Sequence, residues 1–271
     1  MSIDHISLQG KRATQEDRVI IEPDFIIMVL DGHGSYPDEK ELETRYKDKN
    51  LERVVDIVYD LFPKELKKNI ESLHGDNPEQ IIDVIKKTCM DIDETIFEEY
   101  HKHDKCMGGT TMSGILKIKG KEYIVNVGDS ETVVVNGIVP VYVTQRHKPD
   151  IEHEYRRIFS NGGFVYSKRS YGTLSISRVF GDFDLGKSCL GKYNRKAVLC
   201  PVADVILVEK EYTNIFIYSD GFGDFCDYQK LITAAFFSGP ENEKERTISE
   251  RLGYMALEVS NDNITVIHVH R

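Results

Sequence analysis

The sequence predicts an α+β sandwich on three observations. Apolar, strand-like runs stand near both ends of the chain; two stretches of helical periodicity lie between the strand blocks; and Asn136-Gly137 separates two runs rich in Val and Tyr. With 271 residues, 40% of them hydrophobic and 30% charged, the chain is long enough to bury a sizeable core. No linker-like stretch, repeat or low-complexity segment divides it, so a single domain over residues 1–271 is expected.

Taken in order, the elements rest on spacing and punctuation. Phe25-Ile-Ile-Met-Val-Leu30 is continuously apolar, reads as a strand buried on both faces, and ends on Asp31. Residues 35–50 are charged and contain Pro37, the composition of a solvated loop. Leu51, Val54, Val55, Val58, Leu61 and Phe62 then recur at helical spacing. Asn77-Pro78-Glu79-Gln80 reads as a helix start, with Asn as the cap and Pro in the first turn, and Ile81, Ile85, Cys89, Ile92, Ile96 and Tyr100 continue its apolar face. Beyond Lys121 the pattern shortens to strands at 123–127, 131–135 and 138–143, the last two joined by a tight turn with positive φ at both Asn136 and Gly137. Further strands are expected at 205–208, 214–218 and 264–269, and helices near 151–160, 227–238 and 242–258.

Charge and cysteine content exclude several classes. A formal charge of -10 and a pI near 5.4 disfavour an extended nucleic-acid or anionic-membrane surface, both of which reward clustered cations. No apolar run approaches the ~20 residues of a membrane span, and the first residues lack the basic and apolar parts of a signal peptide. A monomer in the cytoplasm, with the nucleus left open, is therefore expected. Five cysteines, Cys89, Cys106, Cys189, Cys200 and Cys226, are odd in number and contain no Cys-x-x-Cys, which points to reduced thiols. His101-Lys-His103 and His268-Val-His270 have no further His or Cys to complete a site and read as packing residues. Residues 146–173 hold six Lys or Arg against three Asp or Glu, a local excess suited either to acidic substrates or to an ordinary solvated helix and turn.

The chemistry lies in short acidic motifs: Arg12-Ala-Thr-Gln-Glu16-Asp17, Asp31-Gly-His-Gly34, Gly128-Asp129-Ser130, Ser219-Asp220-Gly221 and Asp262-Asn263. Asp31 and Asp220 close apolar runs and Asp262 precedes one, so a sheet can gather them with Glu16 nearby. Such carboxylates repel unless a cation sits among them. Two Mg²⁺ or Mn²⁺ ions ~4 Å apart would remove the repulsion and activate water against phosphorus, and ligation by oxygen alone favours these ions over zinc. At any single position an acidic residue ending a strand commonly just caps a turn.

These strings, with Gly108-Gly-Thr110, His147-Lys-Pro149, Gly162-Gly163 and Leu174-Ser-Ile-Ser-Arg-Val-Phe-Gly-Asp182, stand in the same order as in the metal-dependent Ser/Thr protein phosphatases of type 2C, which the chain resembles from residue 12 to residue 263. The resemblance implies a four-layer α-β-β-α sandwich, two antiparallel sheets flanked by helices, with a binuclear site at one end and a variable flap at about residues 150–173. It implies that Asp31 bridges two Mg²⁺ or Mn²⁺ ions, that Asp220 and Asp262 complete one, and that Glu16 with the Gly32 carbonyl holds the other. Asp17, Thr110 and Asn263 would support those ligands from behind, Arg12 would bind the phosphate, and His33 would protonate the leaving alkoxide. Asp129 and Asp224 resemble ligands of a weaker third ion.

The implied activity is removal of phosphate from Ser or Thr of phosphoproteins by metal-activated water without a phosphoenzyme. Cys89, Cys106, Cys200 and Cys226 lack the Arg six residues on that a cysteine-nucleophile loop needs; Cys189, with Arg195, has that spacing. The alternatives are a phosphoprotein- or kinase-binding scaffold of the same fold and, less in keeping with the net acidity, a phosphodiesterase. The chain departs from the family pattern at Ser35, Thr111, Glu131 (commonly Arg) and Gly223 (often Trp), while every implied metal ligand is retained.

Overall fold

The structure, a computed structural model, describes residues 1–34, 52–101, 106–183, 185, 198–237 and 246–271. Two compact units are each assembled from separate stretches: Met1–Asp31, Met112–Arg146 and Val205–Arg271 in the first, Gly32–Thr111 and His147–Asp204 in the second. The expected α+β class with two large antiparallel sheets is what the chain adopts.

In the first unit a five-stranded sheet runs in the order Ser2–Leu8, Ile264–His270, Asn214–Tyr218, Glu131–Asn136, Val139–Val143. Asp17–Glu22, Ile26–His33, Met112–Ile118, Lys121–Val127 and Asp204–Leu207 belong to the second sheet. Strand alternation sends Ile27, Val29, Ile115 and Ile124 of this sheet against Val134, Ile215, Ile217, Ile267 and Val269 of the first, which makes the inter-sheet core. The opposite residues of the five-stranded sheet, among them Val133, Phe216, Tyr218, Ile264 and Val266, are covered by Phe222, Leu231, Leu252 and Ala256 from the helices Asp220–Gly223, Tyr228–Phe237 and Ile248–Leu257. The last of these begins at a reciprocal cap: Thr247 accepts from the Glu250 amide and the Glu250 side chain accepts from the Thr247 amide.

The second unit carries the two long helices the periodicity predicts. Asn77 accepts from the Glu79 amide at 2.9 Å, Pro78 follows, and the helix runs to Thr95 with Ile81, Ile85, Cys89 and Ile92 inward. Val54–Glu71 buries Val54, Val55, Val58, Phe62, Leu66 and Ile70 and packs on the Pro78–Thr95 helix. Beside them is a short ladder in which Gly32 and His33 pair with Thr110 and Gly109, and those in turn with Phe180 and Gly181.

Some expectations shift in detail. In the hairpin, Asn136 is the last strand residue, paired with Val139, so the loop is Gly137-Ile138 with positive φ at Gly137 alone, the requirement of a type II′ loop. The strands Ser2–Leu8, Asp17–Glu22 and Met112–Ile118 were not expected. Loop residues 35–50, Leu51, His103, Cys189, Ser238 and residues 242–245 lie outside the described residues. Cys89, Cys200 and Cys226 are free and buried. His268 is a core histidine, with Nδ1 at 2.9 Å from Asp4 and Nε2 at 2.8 Å from Asn214. Among the described residues no helix is long and apolar enough to cross a membrane.

Candidate active site

The first unit draws its acidic motifs together through strand ends. Asp17 and Asp31 face each other across the antiparallel pair that joins their strands. Asn214–Tyr218 leads through Ser219 to Asp220, and Ile264–His270 begins just after Asp262-Asn263. Ser219 joins the two chain segments: its amide donates to the Thr265 carbonyl at 3.1 Å, and the Thr265 amide donates back to its Oγ at 3.0 Å. Gly221 is required where it stands, because a Cβ there would overlap the Asn263 carbonyl oxygen.

Side chains complete the junction. Asn263 accepts from the Glu16 amide at 2.9 Å and donates to the carbonyls of Gln9 and Thr14 at 2.8 and 2.9 Å, so one amide side chain pins the Arg12–Glu16 loop to the Asp262 strand. Buried Asp17 accepts from Ser219 Oγ at 3.0 Å and Thr265 Oγ1 at 2.6 Å. Arg12 reaches Asp262 at 2.5 Å, and Arg146 donates to Glu131 and Asp224, each at 2.6 Å.

The electrostatics are those of crowded acids. Burial, then Asp220, Asp17 and Asp129, push Asp31 well above the carboxylate range, and it donates a hydrogen bond to Asp220. Asp220 is raised to about 7 by burial and by Asp129 and Asp224; Asp17 is raised to about 6, chiefly by burial, although Thr265 and Ser219 hold its charged form.

In the second unit Gly32 and Thr110 are buried and paired across their ladder. His33 lies with Nε2 at 2.6 Å from Asp182 Oδ2. Asp182 is itself held in the left-handed region at φ +52°, its amide donating to the Gly108 carbonyl at 2.9 Å.

A family model described as protein phosphatase 2C matches residues 1–263. The chain belongs to the protein phosphatase 2C family. Among similar proteins, protein phosphatase 2C homolog 3 of Schizosaccharomyces pombe is 28% identical over 238 residues, covering 83% of this chain and 52% of that protein. Probable protein phosphatase 2C 55 of rice is 32% identical over 192 residues, covering 67% of this chain and 45% of that protein. The chain thus spans about half the length of these two relatives. Of solved structures, a Caenorhabditis elegans sex determining protein superposes with a TM-score of 0.72 at 20% identity, covering 98% of this chain and 64% of that one. The serine-threonine phosphatase 2C of Toxoplasma gondii gives 0.64 at 20% identity, covering 99% and 94%. At that identity the likeness carries the fold alone.

Phosphatase 2C members are implied to hold divalent ions, and the donor set here fits such ions. Asp17, Asp31, Asp129, Asp220 and Asp262 are oxygen donors linked by electrostatic interactions, and three of them, Asp17, Asp31 and Asp220, are pushed up by burial and by the mutual repulsion a cation would relieve. Among the described residues no three carboxylate, imidazole or thiol groups already stand in coordinating positions; Asp262 is turned to Arg12 and Asp31 to Asp220 instead. Three roles were not legible beforehand. Asp182 and Ser219 sit within motifs the sequence displayed, whereas Thr265, the closest partner of Asp17, carries no motif signal.

Proposed function

We propose that this chain is a metal-dependent protein phosphatase that hydrolyses phosphoserine and phosphothreonine monoesters, with Mg²⁺ or Mn²⁺ held by Glu16, Asp31, the Gly32 carbonyl, Asp220 and Asp262. The observation that carries this reading is the acid cluster of the first unit, where burial and neighbouring carboxylates raise both Asp31 and Asp220. A fold that keeps such groups together gains stability when a cation joins them. When bound, the ions supply Lewis acidity toward phosphoryl oxygens and a water acidic enough to lose its proton near neutral pH.

The remaining steps belong to side chains. Arg12, partly exposed and already paired with a carboxylate, presents the planar fork that suits a phosphomonoester dianion. Asp17, fixed by Ser219 and Thr265, holds its place opposite Asp31. His33, held with Nε2 against Asp182, gives the leaving serine or threonine oxygen its proton. Phosphoproteins are the proposed substrates, handled by a single catalytic domain acting as a cytoplasmic monomer.

A phosphothreonine peptide assayed with Mn²⁺ and with excess chelator tests the reading. Turnover is expected with the metal and none above background with chelator, and a bis-substituted phosphate ester should be the poorer substrate. Folded, metal-loaded protein that leaves the peptide intact would sink the proposal in favour of a phosphoprotein-binding scaffold.

The proton assignment has its own test. His33→Ala should lower kcat on the peptide by about 10²-fold, yet leave p-nitrophenyl phosphate within a few-fold, because nitrophenolate departs without a proton. Asp182→Ala should reproduce the pattern more weakly. Equal losses on both substrates would remove His33 from this role.

A further inference from the structure

Two of the departures from the family pattern, Glu131 and Gly223, meet at one side chain. Arg146 donates from Nε to Glu131 Oε1 and from Nη1 to Asp224 Oδ1, each at 2.6 Å. A Cβ at Gly223 would collide with the Arg146 Nη2 atom and would stand 3.1 Å from Glu131 Oε1 and 3.0 Å from the Tyr218 ring. Glycine at 223 therefore makes the seat, Glu131 anchors the guanidinium in it, and the fork is aimed at Asp224. The Arg146 side chain is only 21% exposed and Glu131 14%, against 48% for Asp224, so the cation is held from the inside and presented outward.

We propose that the Arg146 guanidinium serves this chain in place of a third metal ion, neutralising Asp224 permanently and limiting the carboxylate cluster to two ions. The inference rests on the metal-dependent reading above. Asp129 and Asp224, the residues the family resemblance offers to a third ion, both lie within electrostatic range of Asp220. For an ion to use Asp224, that carboxylate would have to give up a charge-assisted hydrogen bond and accept the ion beside a fixed positive charge. The guanidinium cannot be titrated away near neutral pH, so the arrangement does not depend on ionic conditions as an exchangeable ion would. Arg146 is thus a positioning residue: it acts through Asp224, and Glu131 and Gly223 act through it.

Counting Mn²⁺ bound at saturation by equilibrium dialysis, with free Mn²⁺ read by electron paramagnetic resonance, tests the proposal without relying on turnover. The natural protein should bind two ions, Arg146→Gln three, and Arg146→Lys, which keeps a cation on the same stem, two. Gly223→Leu, which evicts the guanidinium while leaving it in the sequence, should bind three like Arg146→Gln. If circular dichroism shows Arg146→Gln to be unfolded, Glu131→Gln/Arg146→Gln, which keeps an amide pair in the seat, is counted in its place with the same expectation of three. Equal counts for the natural protein and the charge-removing variants, or three ions in the natural protein, would overturn the inference. A natural protein that binds no Mn²⁺ would overturn the metal-dependent reading and this inference with it, an outcome distinguishable from failure of the inference alone.

Discussion

Asp31→Asn is expected to cut Mn²⁺-dependent turnover of a phosphothreonine peptide by at least about 10³-fold, the several kcal/mol attributable to metal-held charge stabilisation, while raising the melting temperature of the metal-free protein. The two effects share one cause. Asp31 is crowded by burial and by Asp220, Asp17 and Asp129, which push its carboxyl far up, and it shares its proton with Asp220 and Asp17. Asparagine keeps the size and can donate its N–H to Asp220, but it brings no charge into the cluster. Relief of even about 1 kcal/mol of repulsion would show as a rise of about 2–4 °C in a chain of this size. Calorimetry in chelator and kinetics in Mn²⁺ read the two halves separately. A variant that melts lower without metal would mean that the cluster is not under electrostatic load. One that keeps its turnover would mean that Asp31 holds no essential ion.

Legibility in the sequence tracked how local each interaction is. Asn77-Pro78 announced its helix because cap and first turn are adjacent in sequence, and Phe25–Leu30 announced a strand that hands Asp31 to the site because one apolar run suffices. Strand Ser2–Leu8 went unannounced: its register partner Ile264–His270 lies at the other end of the chain, and three of its seven residues are exposed. The carboxylates themselves were visible as motifs, yet what holds them was not. Asp17 depends on Ser219 and Thr265, His33 on Asp182, and Asp224 on Arg146, contacts that span 202, 248, 149 and 78 residues. Periodicity reports burial within an element, whereas these pairings exist only once the sheets have set their register. The hairpin shows the same limit at short range, since Asn136-Gly137 marked the turn but pairing with Val139 drew Asn136 into the strand.

The string Leu174–Asp182 has a division of labour that leads to the largest stability effect. Its end, Asp182, meets His33, but its middle, Ser177-Arg178, serves Glu154 on the helix Glu152–Ser160. Glu154 is fully buried, with Oε1 accepting from Arg178 Nη2 at 2.6 Å and Oε2 accepting from Ser177 Oγ at 2.6 Å and Arg157 Nη2 at 2.7 Å. Arg178 continues to Asp204 at 2.7 Å, and buried His147 lies 3.2 Å from the same carboxylate, so one acid ties the helix to two further segments of the second unit. Burial alone would raise the Glu154 pKa, but the hydrogen bonds from Arg178, Arg157 and Ser177 outweigh it and hold the group at about 2, down from 4.5.

Glu154→Ala should therefore cost about 3–5 kcal/mol, because it strands two guanidinium groups that a single buried carboxylate had neutralised. A depressed folded-state pKa contributes stability that is present above the unfolded value and lost as pH falls through the folded one, which places the loss between pH 4.5 and about 2. Across that window the natural protein should shed about 3 kcal/mol through this group, whereas Glu154→Gln, already without the charge, should be less stable at pH 7 and lose correspondingly less on acidification. Urea midpoints measured at pH 7, 5, 4 and 3 for both proteins separate the cases. Parallel acid profiles would show that Glu154 is not the group that titrates. Stability of Glu154→Ala within about 1 kcal/mol of the natural protein would mean that Arg157 and Arg178 find water or Asp204 as readily as they find Glu154.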